Sequence, residues 1–85
     1  MKIYETPKFK KLRKKLRSDL EKQALKRAII AVAVNPLTGK KLKGELKELW
    51  KYEYSVAGQE KRLTYKVDKD SLYLVSFGPR EGIYK

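Results

Sequence analysis

The side chains that could do chemistry in this 85-residue chain are lysines, arginines, tyrosines and carboxylates, because the sequence contains neither His nor Cys. Zinc sites built from Cys and His are therefore excluded. The nucleophilic pairs and triads that need a Cys or a His base are excluded as well. The aspartates are scattered over predicted helix and turn positions: Asp19, Asp68 and Asp70. The sequence accordingly predicts no metal and no cofactor, and leaves proton transfer and charge stabilisation to Lys, Arg, Tyr and Glu.

Positive charge dominates the composition. Lys and Arg total 22 against 10 Asp and Glu, which gives a net charge of +12. In a folded domain with 11% aromatic residues, this charge favours a polyanionic partner, most often a nucleic acid. A Lys-rich solvated surface of the thermophilic kind is the alternative, but such surfaces usually balance Lys with Glu. In this chain the basic residues outnumber the acidic ones by more than two to one.

Apolar runs are too short for a membrane span. The longest run, over residues 28–34, falls well below the roughly 18 apolar residues that a span requires. Lys and Arg interrupt every apolar run before Leu25, so the pattern does not indicate a secretory signal. These features predict one cytoplasmic domain over residues 1–85 that makes no contact with a membrane.

The first half has the pattern of a short strand followed by a helical hairpin. Residues 2–5 are predicted to form the strand, and Thr6 followed by a proline is typical of a helix start. A capping box that begins at Ser18 ends the first helix near Arg17 and starts the second, so the hairpin spans roughly 7–34. Its apolar residues recur at helical spacing: Phe9, Leu12, Leu16 and Leu20, then Leu25, Ala28, Ile29, Val32 and Ala33.

The second half changes to the two-residue alternation of strands. A Gly- and Lys-rich linker over residues 37–44 precedes three predicted strands, near residues 50–56, 62–67 and 72–77. The tyrosines and the tryptophan of the first strand are more typical of a packed sheet face than of base-stacking platforms. The predicted order is β-α-α-β-β-β, an α+β domain in which a helical hairpin packs on a small antiparallel sheet.

Short motifs of the second half, taken together and in order, resemble the RelE/ParE superfamily of bacterial and archaeal toxins. They are Leu42-Lys43-Gly44, Trp50-Lys51, Arg62-Leu63 with Tyr65 and Val67, Gly78-Pro79-Arg80, and Ile83-Tyr84. The length and the element order match as well, so the resemblance covers nearly the whole chain and is most specific from residue 42 to residue 84. It implies the RelE-like fold, a toxin of a type II toxin-antitoxin system, and a cognate antitoxin that is acidic or amphipathic.

The two branches of this superfamily differ in activity. RelE-like members cleave mRNA in the ribosomal A site, whereas ParE-like members inhibit DNA gyrase and generally lack the basic and tyrosine catalytic set. This chain has the residue types of that set, at Lys51, Arg62, Arg80 and Tyr84. The resemblance therefore implies a ribosome-dependent, metal-independent endoribonuclease that uses the 2′-OH of RNA as nucleophile. A gyrase inhibitor and a catalytically inactive RNA-binding protein of this fold remain the alternatives.

Glu53 departs from the RelE-like pattern, in which the strand often carries a second lysine at this position. Because strand side chains alternate, Lys51 and Glu53 share a face of the sheet. Glu53 is therefore expected either to form an ion pair with Lys51 or Arg62, or to act as general base. Arg62 and Arg80 would hold the phosphate, and Lys51, Tyr84 or Glu53 would move protons.

The most basic segment is the N-terminal one. Residues 1–30 hold 11 basic and 3 acidic residues, and the exposed side of the first helix is basic nearly all round. Phosphate contacts position a nucleic acid without reading its sequence. We predict such contacts for five lysines of this helix and of the linker: Lys11, Lys14, Lys40, Lys41 and Lys43. A solvated helix face is the alternative, and the same helix with a sheet edge is the expected antitoxin surface.

Overall fold

The computed structural model describes residues 2–42 and 48–79. Within them, two helices pack against a five-stranded sheet. The strands are β1 (Lys2–Glu5), β2 (Lys40–Lys41), β3 (Trp50–Val56), β4 (Gln59–Asp68) and β5 (Ser71–Pro79). The helices are α1 (Pro7–Lys14) and α2 (Asp19–Val34), followed by a short 3-10 helix over Pro36–Thr38. The predicted α+β order is confirmed, and β2 and the 3-10 helix are additions between α2 and β3.

The sheet is mixed, whereas the sequence predicted an antiparallel one. Its strand order is β1-β5-β4-β3-β2, so β4 lies at the centre. β3, β4 and β5 form an antiparallel meander, but β1 pairs parallel to β5, with Lys2 opposite Ser71. The parallel pairing follows from the connection between β1 and β2. The helical hairpin carries the chain from one edge to the other, and the meander returns it beside β1 in the same direction.

Thr6 and Phe9 attach α1 to β5. The Thr6 hydroxyl accepts a hydrogen bond from the Phe9 backbone N–H at 3.3 Å, which caps the helix, and donates one to the Leu74 carbonyl at 2.8 Å. Phe9 is fully buried and meets the Phe77 ring edge-on, with centroids 5.1 Å apart. α1 ends at Lys14, a little before the predicted end.

The second helix follows the sequence pattern closely. The Ser18 hydroxyl accepts a hydrogen bond from the Glu21 backbone N–H at 3.4 Å, and the helix buries Leu25, Ala28 and Val32 against the sheet. Leu20, which continues the helical spacing of Phe9, Leu12 and Leu16 in the sequence, is 65% exposed. The break between the helices resets the helical phase, so Leu20 does not continue the apolar stripe of α1. Of the described helices, neither is long and apolar enough to cross a membrane.

The core lies between the helices and one face of the sheet, which we call the covered face. Four strand residues at its centre are almost inaccessible: Leu63, Tyr65, Leu72 and Leu74. The half-buried aromatic residues of β3 pack around them, and Trp50 stacks on Tyr65 with ring centroids 6.3 Å apart. The predicted packing role of these aromatic side chains is confirmed. The opposite face, which we call the open face, carries no helix among the described residues.

Because of Tyr54, the folded core loses stability as the pH rises into the alkaline range. Burial, helped by the nearby Glu21 carboxylate, raises the pKa of Tyr54 from 10.0 to about 12. The unfolded chain therefore loses this proton before the folded chain does. The stability that protonated Tyr54 contributes is complete below pH 10, the pKa of the unfolded chain. It is lost as the pH rises through about 12, the pKa in the folded chain.

We expect the urea midpoint to fall between pH 10 and about 12, the two pKa values of Tyr54. Tyr54→Phe should show a shallower fall, since it removes one of the titrating groups. Burial also raises the pKa of Tyr65, so some dependence remains in that variant. Identical pH profiles for the two proteins would contradict the assignment to Tyr54.

Candidate active site

Three of the predicted catalytic residues lie together on the open face, on the adjacent strands β3 and β4. Glu53 is directly opposite Arg62, and Lys51 is directly opposite Thr64. Leu63 and its helix-covered neighbours point into the core, so alternation places these four side chains on the opposite surface. Lys51 and Arg62 are diagonal neighbours across the two strands, a relation that separates Cα atoms by roughly 7–8 Å.

Arg62 is held in place more firmly than a surface arginine. Its side chain is only 12% exposed, and its Nη2 lies 3.7 Å from Oε2 of Glu53, which is 37% exposed. A largely buried cation needs such a compensating charge. The residue opposite Arg62 on β5 is Gly78, which has no side chain to crowd the guanidinium. The result is a planar, oriented donor group of the kind that binds phosphate oxygens.

Lys51 also has a lysine beside it on the other neighbouring strand, β2, on the same open face. β2 pairs antiparallel with β3 so that Lys40 is directly opposite Lys51. Like charges in directly opposed positions repel each other, and an anion bound between them would remove that repulsion. On the other side of Lys51, its partner on β4 is Thr64, which is 1% exposed. This arrangement favours a bound phosphate beside Arg62.

Tyr65 and Gly39 position Lys40. The Tyr65 hydroxyl donates a hydrogen bond to the Pro36 carbonyl at 2.7 Å and accepts one from the Gly39 backbone N–H at 3.2 Å. A Cβ at Gly39 would overlap both that hydroxyl and the Lys51 carbonyl. Only glycine therefore lets the linker approach β3 closely enough to form β2. Sequence reasoning missed this anchor, and its one signal was a glycine directly before the two lysines.

A family model described as ParE-like toxin of type II bacterial toxin-antitoxin systems matches residues 3–85. The chain belongs to this ParE-like toxin family. Among curated proteins, none matches the chain significantly.

Solved toxin structures share the fold of this ParE-like toxin. The isolated E. coli RelE toxin aligns with a TM-score of 0.74 at 25% identity, covering 94% of this chain and 84% of that one. A chain of the intact E. coli RelBE toxin-antitoxin complex gives 0.72 at 25% identity, covering 94% and 96%. A mutant of E. coli YafQ gives 0.62 at 19% identity, covering 98% and 97%, which shows the fold alone. The predicted membership of the RelE/ParE superfamily is confirmed.

The predicted RNA-binding lysines of this toxin do not form one surface. Lys40 lies on the open face beside Lys51. Lys41 lies on the other face, with its Nζ 5.7 Å from the centroid of the Trp50 ring. Lys11 and Lys14 are exposed on α1, which packs on the covered face. A role for these last three in RNA binding stays a prediction, and the structure does not bring them together with the open-face residues.

Three predicted site residues lie outside the described residues: Lys43, Arg80 and Tyr84. Arg80 directly follows Pro79, whose partner across the sheet is Lys61, the neighbour of Arg62 in the chain. Over the ranges 2–42 and 48–79, no group of three His, Cys, Asp or Glu side chains could hold a metal ion.

Proposed function

We propose that this ParE-like toxin is a ribosome-dependent, metal-independent mRNA endoribonuclease that cleaves in the A site and so inhibits translation. The observation that carries the proposal is the open-face cluster of Lys51, Glu53 and Arg62, in which the Arg62 guanidinium is largely buried and held by Glu53. A preorganised bidentate donor on a surface that also carries paired lysines suits a phosphodiester better than a protein target.

The reaction requires one bond to form and one to break. The 2′-oxygen of RNA loses its proton and bonds to the adjacent phosphorus, and the bond from phosphorus to the 5′-oxygen breaks. The products are a 2′,3′-cyclic phosphate and a 5′-hydroxyl. Arg62, and Arg80 by resemblance to the family, would donate N–H groups to the charged phosphorane oxygens. Glu53 would accept the 2′-proton, and Lys51 or Tyr84 would protonate the leaving oxygen.

The activity is tested by incubating the purified toxin with programmed ribosomes and a defined mRNA in the presence of EDTA. We expect cuts in the A-site codon, and very weak cleavage of the same mRNA without ribosomes. The weak activity on free RNA follows from the absence of His, since Lys, Tyr and Glu have pKa values far from neutrality in water. Folded toxin that makes no A-site cuts would contradict the proposal.

Glu53→Gln separates the two roles available to this carboxylate. The amide still accepts a hydrogen bond from Arg62 but no longer removes a proton at neutral pH. If Glu53 is the general base, we expect cleavage to fall roughly 10²–10⁴-fold. A cleavage rate equal to that of the wild type would eliminate the base role and leave Glu53 as the partner that holds Arg62.

The description of the family as ParE-like supports a second candidate, inhibition of DNA gyrase. A supercoiling assay with purified gyrase separates the two functions. Inhibition that persists in Arg62→Ala, with no ribosomal cleavage, would favour this alternative.

We also propose a cognate antitoxin, since E. coli RelBE is a toxin-antitoxin complex. The expected surface is basic α1 together with an apolar groove of about 220 Å³ between the helices and the end of the sheet. Leu12, Leu16 and Phe77 line this groove together with Lys15, Lys61 and Glu21, and Lys61 lies 3.5 Å from a Glu21 oxygen. An amphipathic acidic segment fits such a surface.

A further inference from the structure

Two tyrosines stack on each other on the open face, away from the cluster already described. Tyr4 of β1 is directly opposite Tyr73 of β5, and their rings are 5.3 Å apart with an interplanar angle of 19°. The next residue, Glu5, is bonded to Arg13 of α1 on the covered face. Alternation therefore places Tyr4 on the open face, where Lys66 is the partner of Tyr73 across the sheet.

One face of the Tyr4 ring is covered and the other is at the edge of the sheet. Tyr73 stacks on the inner face, and no strand lies beyond β1 in the described part of the chain. Tyr4 is 45% exposed and is one of the exposed large hydrophobic residues of the described chain. Stacking is favourable for planar rings in parallel, offset arrangements. The pair therefore offers its outer surface to a third planar group.

We propose that the Tyr4–Tyr73 pair is a stacking platform for an unpaired nucleobase of single-stranded RNA. The inference rests on the proposed function, because it extends the RNA path from Arg62 across the same face to the β1 edge. Lys66, the neighbour of Tyr73, is four residues from Arg62 along β4, or roughly 13 Å at about 3.3 Å per residue. A short oligonucleotide spans this distance.

The charges near the platform indicate that stacking, rather than phosphate binding, supplies its affinity. Lys66 is 47% exposed and lies 3.9 Å from a Glu48 oxygen, so a surface carboxylate already offsets its charge. Lys2 is opposite Ser71 on β5, which is in turn opposite Asp68, so positive and negative groups are balanced there. Base–aromatic stacking does not depend on net charge and tolerates any base.

The test uses a 2′-O-methyl single-stranded RNA with a fluorescent label, because this RNA lacks the nucleophile and cannot be cleaved. We expect Tyr4→Ala to weaken binding roughly 5- to 150-fold in anisotropy titrations, the range of one base–aromatic stack. Ile3→Ala is the matched control, since Ile3 is also 45% exposed on β1 but lies on the covered face. It should bind like the wild type. Thermal unfolding confirms that each variant is folded.

Two further variants separate stacking from a structural role of Tyr4. Tyr4→Trp should bind the RNA at least as tightly as the wild type. Tyr4→Leu keeps an apolar side chain packed on Tyr73 but has no ring, so it should bind the RNA almost as weakly as Tyr4→Ala. Wild-type affinity in Tyr4→Leu, or equal losses in Tyr4→Ala and Ile3→Ala, would overturn the platform. Binding to this RNA does not require cleavage. Failure of the platform is therefore distinguishable from failure of the nuclease proposal, which the ribosome assay tests.

Discussion

Replacing Arg62 with Ala is expected to slow A-site cleavage of mRNA roughly 10²–10³-fold, the usual cost of removing one preorganised donor to a transition-state oxyanion. The guanidinium is 12% exposed and its Nη2 lies 3.7 Å from a Glu53 oxygen, so it is already oriented before RNA binds. Arg62→Lys should recover only part of the rate. A lysine keeps the charge but cannot present two parallel N–H donors.

Arg27→Ala is the matched control for this prediction, because it removes an exposed arginine from α2 on the covered side of the sheet. Its cleavage rate should equal that of the wild type. Circular dichroism and thermal unfolding should show that both variants are folded. The assignment of Arg62 to the site fails if Arg62→Ala and Arg27→Ala cleave equally well. By resemblance to the family we expect the same loss in Arg80→Ala.

Replacing Phe9 with Ala is expected to lower the free energy of unfolding by about 3–5 kcal/mol. Phe9 is fully buried, packs edge-on against Phe77, and lies beside the Thr6 cap that ties α1 to β5. The cavity would open between the helix layer and the sheet. Since small domains have total stabilities of about 5–15 kcal/mol, this loss is a large part of the stability of a domain at the lower end of that range, and the urea midpoint should fall markedly.

Leu20→Ala is the control for the Phe9 variant. This leucine is 65% exposed at the start of α2, so its truncation should change the free energy of unfolding by less than about 0.5 kcal/mol. Urea titrations followed by circular dichroism measure both values. Similar midpoints for the two variants would mean that Phe9 does not anchor α1 to the sheet.

The helices, the meander and part of the site were predictable from the sequence because their signals are local. A cap at Ser18 and apolar residues at helical spacing specify α2, and all of these signals lie in or next to the helix itself. Two-residue alternation places Lys51 and Glu53 on one face, whatever β3 pairs with. The pairing of Glu53 with Arg62 was one of two pairings predicted for this carboxylate, and the register of β3 with β4 decided between them.

Tertiary structure alone decided which distant residues meet. The parallel pairing of β1 with β5 brings Tyr4 onto Tyr73 although 69 positions separate them. The Tyr65 hydroxyl holds the linker so that Lys40 opposes Lys51, while Lys41 turns to the other face. Strand order and register depend on contacts between segments far apart in the chain. The composition and local periodicity of a segment do not encode those contacts, so the sequence determined the elements and the types of chemical groups, and the fold determined their assembly.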